Sequence, residues 1–426
     1  YEVSSRAYEG LGGLVTDARN HRELESTFRS TFTPRISEDF GFLGSVGVNY
    51  NQRITNRNTN EGKRFITEGI YSLTNTAQQA FIRNSLNKRR IMGVFAEATF
   101  DYKDYLFLTL TGRNDISSTL PSDSRSYFYP GISSAFIFTD ALEIDKSILN
   151  FGKIRAAWAK VGRDTDPYSL MNTYTIGTNF LGQPTGSIDV TSYDPNLKPE
   201  FTKEFEVGTE LGFFNSRVNL DFTYYNRVST NLLAAISVPT SSGYNSFFTN
   251  FGKISNKGVE ISLNVKPLSP ESKVNWTLAA AFTKNNNMVV ELTEGTERMA
   301  LRGVLSGSIS SYLEPGMPFG YLRGSKSLRD DEGNLLINPA TGGMIEDASQ
   351  EYNIGNPNPD FKLGINNTVA YKGFTLSALF DWTQGGDMYS VTNSSLLGRG
   401  VTRDTEGREY NAIIPGVYGD PTTGQA

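Results

Sequence analysis

Five carboxylates crowd two neighbouring stretches of the chain: Glu204, Glu206 and Glu210, then Asp221 and Glu260. Two carboxylates at a set separation can run glycoside hydrolysis, so a hydrolytic site is the first chemistry to weigh. The spacing argues for something else. The acids recur at even steps, the period of one face of a β-strand. Arg217, Lys203 and Lys266 lie close enough in sequence to balance them. That pattern describes a hydrated wall. On the same face fall Asn219 and Asn264, so the expected wall set is Glu204, Glu206, Glu210, Arg217, Asn219, Asp221, Glu260 and Asn264.

Other chemistries find little support. Asp330-Asp331-Glu332-Gly333-Asn334 resembles a calcium loop, but an EF-hand places its acids at alternate positions before the glycine. A polar turn is the expectation there. The chain of 426 residues holds no cysteine and one histidine, His21, which removes thiolate and multi-histidine metal sites. His21 sits among Arg19, Arg22 and Glu23 and is read as a solvated loop residue. No P-loop, G-x-S-x-G or H-E-x-x-H is present. The expectation is no enzyme, no metal and no cofactor. Forty Lys and Arg against forty-five Asp and Glu leave a net charge of −5, which argues against a nucleic-acid partner. Lys88-Arg89-Arg90 is a short basic run before a strand, suited to lipopolysaccharide phosphates or simply to water.

Two groups of aromatics stand in polar, Gly/Asn/Ser-rich stretches: Tyr244, Phe247 and Phe248, then Tyr312, Phe319 and Tyr321. Aromatics beside hydrogen-bonding groups suit contact with a sugar, a peptide or a lid protein; packing on a rim is the plainer alternative.

The elements that would position these residues are strands. Phe205, Val207, Thr209, Leu211 and Phe213 alternate with Glu204, Glu206, Gly208, Glu210 and Gly212. After Asn215-Ser216, Val218, Leu220, Phe222 and Tyr224 alternate with Arg217, Asn219, Asp221 and Thr223. A strand covered on both faces would not carry three glutamates on one of them. Similar hairpins turn at Lys103-Asp104, at Ser269 to Ser272 and at Lys372-Gly373, with fainter ones over 25–50 and 129–160. The total is about twelve strands of about ten residues, the length that crosses a bilayer when tilted. Links between hairpins are long: Thr55 to Arg89, Ile116 to Tyr127, Asp164 to Glu200, Ser229 to Phe251 and Asn285 to Pro359. Short turns at one end and long loops at the other mark an outer-membrane barrel. Aromatic pairs at expected strand ends (Tyr102 and Tyr105, Phe213 and Phe214, Tyr224 and Tyr225, Tyr371 and Phe374) fit interfacial girdles. A β-sandwich core would also place aromatics at alternate positions, but it would not alternate its loop lengths.

Several segments, in order, resemble the barrel of SusC/RagA-type TonB-dependent transporters of Bacteroidota outer membranes. They are Tyr105–Asp115 with Ser117-Ser118, Asp194–Glu200, Asn250–Glu260, Gly355–Phe361, Asp381–Asp387 and Leu397–Thr402. The resemblance implies an all-β fold, an antiparallel transmembrane barrel of about 22 strands with long extracellular loops, of which residues 1–426 are a partial wall. No plug domain, TonB box or closing C-terminal strand is recognisable, so this chain alone is expected neither to seal nor to transport. The resemblance further implies active import of an oligosaccharide or oligopeptide in the outer membrane. Its implied partners are a SusD-like surface lipoprotein and TonB with ExbB-ExbD, acting through a plug. Two alternatives are an iron-chelate transporter and a non-transporting structural barrel. One pair of substitutions tests the face assignment: Leu220→Arg should cost roughly 2–4 kcal/mol on a lipid face, and Asp221→Asn far less.

Overall fold

The computed structural model describes residues 12–34, 36–176, 183, 185–301, 309–407 and 413–425. Its frame is one sheet in which twelve strands follow in chain order, each antiparallel to the next. They are β1 (Gly13–Phe32), β2 (Phe40–Phe65), β3 (Thr76–Tyr102), β4 (Leu106–Ser117), β5 (Ser126–Ile137) and β6 (Leu149–Arg163). The second half is β7 (Glu200–Phe213), β8 (Val218–Ser237), β9 (Ser246–Val265), β10 (Val274–Glu291), β11 (Pro359–Tyr371) and β12 (Phe374–Gly385). A short strand, Thr191–Tyr193, joins the sheet parallel to the start of β9.

The tight turns lie where left-handed backbone is affordable. Lys103 and Asp104 take φ of 49° and 57°, and Lys372-Gly373 takes 47° and 86°, the mirror-type geometry that matches strand twist in two-residue hairpins. Phe214, Asn215 and Ser216 all have positive φ in the turn between β7 and β8. These turns share one end of the sheet. The connections 66–75, 118–125, 164–199, 238–245 and 292–358 share the other.

The strands are longer than the ten residues expected. They run from 12 residues in β4 to 27 in β3. The stretch Thr55 to Arg89, read as a loop, is the far half of β2 and the near half of β3, joined by residues 66–75. Likewise β8 continues to Ser237, so Tyr224 and Tyr225 are mid-strand and not at an interface end. At about 3.3 Å per residue β3 spans roughly 85–90 Å, against an apolar band of about 25 Å in a membrane barrel. The first three strands therefore project well beyond any membrane at the long-loop end.

Register fixes the faces. Glu210 stands opposite Asp221, Gly208 opposite Thr223 and Leu211 opposite Leu220. Leu220 then meets Leu263, and Thr223 meets Glu260. One face is thus apolar from β1 to β12, and much of it is open: Val46 is 59% exposed, Leu110 42%, Phe205 47% and Leu376 74%. So wide an apolar surface is what a membrane barrel turns to lipid. Phe40, Tyr102, Tyr105 and Phe136 form a chain of ring contacts, with centroids 4.7 to 6.2 Å apart, beside the short turns.

The segments that carried the family resemblance interlock in space. Asn250 accepts from the Lys198 amide at 2.7 Å and donates to its carbonyl at 2.8 Å, and the Thr249 hydroxyl donates to Asp194 at 2.8 Å. The Asp387 amide donates to the Asn356 carbonyl, and its carboxylate accepts from the Asn356 amide, both at 2.7 Å. The first set clamps the 164–199 connection to β9, and the second ties together the chain just before β11 and just after β12.

Candidate functional site

The polar face of β6, β7 and β8 is organised around Arg155. Its guanidinium donates to Glu210 at 2.9 Å and reaches Asp221 with both terminal nitrogens, at 2.9 and 3.2 Å. Glu206 lies 3.5 Å from its Nε, and Thr223 also accepts from it. Lys153 pairs with Glu210 at 2.5 Å. Gly208 makes room for this hub, since a Cβ there would stand 3.0 Å from the guanidinium carbon and 2.8 Å from the Phe222 carbonyl. Further along, Arg227 grips Glu204 with two bonds of 2.9 and 3.1 Å.

The acids expected on one wall are therefore brought together, but their cations are not those expected. Arg155, Lys153 and Arg227 pair with Glu204, Glu206, Glu210 and Asp221, whereas Glu260 is in none of the ion pairs among the described residues. Arg217 instead caps the β9 end, donating to the carbonyls of Lys266 and Pro267. Lys203 and Lys266 appear in none of the ion pairs among the described residues. Asn219 donates to the Ser216 carbonyl at 2.8 Å, securing the turn. Glu260 and Asn264 continue the polar row on β9. Carboxylates held this way by cations have their oxygens engaged, which is poor preparation for general acid–base work.

A second polar group closes the long-loop end. Asp164 is nearly buried, with its side chain 2% exposed, and accepts from Arg89 in a two-pronged pair and from Thr119 at 2.9 Å. Ser117 donates to it as well. Burial alone would raise its pKa, but the bonds from Arg89, Ser117 and Thr119 hold it below the usual carboxylate range. Beside it opens a cleft of about 650 Å³ lined by Arg19, His21, Arg53, Arg89, Asp166 and Glu200. His21 is thus a strand residue of β1, not a loop residue; its Nδ1 lies 2.9 Å from the Thr55 hydroxyl.

The loop aromatics divide. Phe247 and Phe248 belong to β9, not to a loop, and Phe248 packs on a buried cluster of Leu120, Tyr127 and Leu197. Tyr321 is fully buried, its hydroxyl bonded to Glu314, which removes it from any contact surface. The expectation for Tyr321 is corrected accordingly: the 292–358 segment has its own four-stranded sheet, and Tyr321 is its core. Tyr312 bonds Glu351 at 3.0 Å beneath Arg298, whereas Phe319 stays 37% exposed and Tyr244 accepts from Asn172 at 3.0 Å. Phe251, Ile254 and Val289 of the wall pack with Met299 and Leu313, so this small sheet is anchored to β9 and β10.

Asp330 accepts from the amides of Glu332 and Asn334 at 3.0 and 2.7 Å and from the Asn334 side chain at 3.0 Å. It is a turn residue. Among the described residues no cluster of three or more His, Cys, Asp or Glu is arranged to hold a metal.

An apolar face, a charged opposite face and loops of unequal length are the features of a piece of an outer-membrane barrel wall. The chain belongs to the family described as TonB dependent receptor-like, beta-barrel, whose model matches residues 2–395. It is 27% identical to TonB-dependent receptor P3 of Formosa agariphila over 93% of this chain and 42% of that protein. It is 24% identical to TonB-dependent receptor SusC of Bacteroides thetaiotaomicron over 73% of this chain and 33% of that one. Its fold is like that of the RagAB peptide importer in the closed-closed state, with a TM-score of 0.73 at 20% identity over 87% of this chain and 42% of that chain. The chain thus spans less than half the length of these relatives.

Proposed function

We propose that this chain supplies twelve wall strands of an outer-membrane importer that takes up an oligosaccharide or an oligopeptide. In this reading a SusD-like surface lipoprotein covers the long-loop end, and TonB with ExbB-ExbD drives entry through a plug elsewhere in the full-length protein. The observation that carries it is the division of the wall: an apolar face toward lipid, and an opposite face whose charges are pinned in place by Arg155 and Arg227. A fixed, hydrated wall lets polar cargo pass without side chains collapsing into the path. The aromatics left exposed or half-exposed near the rim, Phe319, Tyr244 and Tyr312, are the residues proposed for cargo or lid contact. The acids Glu204, Glu206, Glu210, Asp221 and Glu260 are proposed as lumen wall with no catalytic part.

The test is purification of the full-length protein from its native membrane in mild detergent, with mass spectrometry of everything that co-elutes. A stoichiometric lipoprotein carrying a glycan or peptide is the expected result. A barrel that elutes alone, together with uptake that depends on iron limitation, would replace this reading with a chelate transporter. Unchanged uptake in a deletion strain would leave a structural barrel.

A further inference from the structure

On six of the twelve wall strands the apolar face ends in a row of cations, and every one of them is toward the long loops. On β1, Arg22 follows Leu24 as the next position on that face, and on β3 Arg90 and Lys88 follow Met92. On β6 and β7, Lys160 and Lys203 follow Trp158 and Phe205 and stand opposite one another in register. On β9 and β10, Lys257 and Lys284 follow Val259 and Phe282. Lys253, further along β9, stands opposite Glu291 and lies outside the row.

The sign is uniform. The carboxylates nearest this row, Glu23 and Glu25 on β1, Glu204 and Glu206 on β7 and Glu260 on β9, take the opposite register positions. Among the described residues none of the seven cations from Arg22 to Lys284 forms an ion pair, whereas the polar face is dense with them. Lys160 lies 3.6 Å over the Phe201 ring, so its stem stays on the apolar side. The short-turn end differs, for there the charges are mixed and paired, as in Asp39 with Lys103 and Asp140 with Lys146. Like charges gathered without ion-pair partners repel, and an anionic surface beside them would relieve that repulsion.

We infer that this row is a binding belt for the phosphate-bearing head groups of outer-leaflet lipid. The belt is continuous with the lipid-facing band, so a lipid whose tails lie on Trp158, Phe205 and Phe282 brings its head group level with the cations. Lysine and arginine stems reach along apolar surface while their charges stay at the head-group plane. The inference rests on the membrane reading of the apolar face and not on what the barrel imports.

The test uses the full-length protein in detergent micelles titrated with fluorescent phosphorylated lipid A. The comparison is a variant with Lys88→Gln, Arg90→Gln, Lys203→Gln and Lys257→Gln; a control variant carries Lys103→Gln and Lys372→Gln at the short turns. Wild type and control should bind alike, the fourfold variant at least about tenfold more weakly at low salt, and the gap should narrow as salt is raised. Dephosphorylated lipid A should bind wild type as weakly as the fourfold variant binds the phosphorylated form. Equal binding by the fourfold variant, with its thermal midpoint unchanged, overturns the belt, as does equal binding of dephosphorylated lipid. Competition by inorganic phosphate at matched concentration would also overturn it, in favour of a simple ion site. Should the fourfold variant fail to fold, the pair Lys203→Gln and Lys257→Gln is read the same way, with about half the decades of loss.

Discussion

Arg155 satisfies three carboxylates with one guanidinium, and its removal shows what the wall needs. Arg155→Met leaves Glu206, Glu210 and Asp221 facing Lys153 alone. The expected cost is roughly 1.5–3 kcal/mol, the range for hydrogen bonds to charged groups, at the low end because the side chain is 26% exposed. A urea titration at pH 7 measures it. Asp164 offers a second residue-scale test. Its folded pKa lies below the ordinary value, so the stability it contributes is present above about pH 4 and is lost as pH falls through the folded pKa. Asp164→Ala should cost roughly 3–5 kcal/mol, toward the low end because Arg89 keeps a quarter of its side chain in water. Thermal melts of variant and wild type should converge at low pH; an undiminished gap there would show that the loss is one of packing. The Leu220→Arg comparison also sharpens. Leu220 faces the apolar side opposite Leu211 and Leu263 and keeps its expected cost of roughly 2–4 kcal/mol. Asp221 is bound twice by Arg155, so Asp221→Asn is no longer the mild control. Asn264→Ser, on the same face without an ion pair, takes its place.

At the scale of elements, much was legible and the rest had a physical reason for being hidden. Side chains alternate with period two, so the faces of β7 to β10 could be read from Glu204, Leu220 and Ile261 before any contact was known. The turns at Lys103-Asp104 and Lys372-Gly373 were legible because few residues tolerate left-handed backbone. The upper halves of β2 and β3 were not. Above the lipid both faces of a strand are wet, so Asn56, Arg57, Asn58 and Thr59 carry no alternation and read as loop. Arg155 was missed for another reason: its partners lie across a 36-residue connection, and only the pairing of β6 with β7 brings them near. Limited trypsin digestion in detergent should therefore spare Arg53 and Arg57, which sit in paired strand, and cut at Lys103 or in the long loops first. Rapid cleavage at Arg57 would contradict the extended β2.

For the molecule as a whole, the sheet presents two surfaces with opposite solvents, and each pairing repeats the same division. Gly208 shows how tightly the polar surface is fitted. Gly208→Val would drive a side chain into Arg155 and the Phe222 carbonyl, and on the proposed import function the expected outcome is loss of the hub with uptake reduced while the barrel still inserts. Heat-modifiable gel mobility reports insertion and a cargo uptake assay reports the path. Normal uptake would mean that cargo does not depend on this part of the wall.

Strict chain order in the sheet has a consequence for how the wall is made. Every wall strand finds its next partner in the next wall strand along the chain, so assembly can advance like a zip, most closures spanning a short length of chain. One seam is different. Between Glu291 and Pro359 the chain leaves the wall, builds a separate small sheet around Tyr321 and returns. The entropic cost of closing so long an excursion is modest, because it grows only with the logarithm of length. Time is the scarcer quantity, for the edge of β10 must stay unpaired until β11 arrives. An exposed strand edge is an invitation to the wrong neighbour. The folded cap on that excursion draws the two ends back to the same place and shortens the wait.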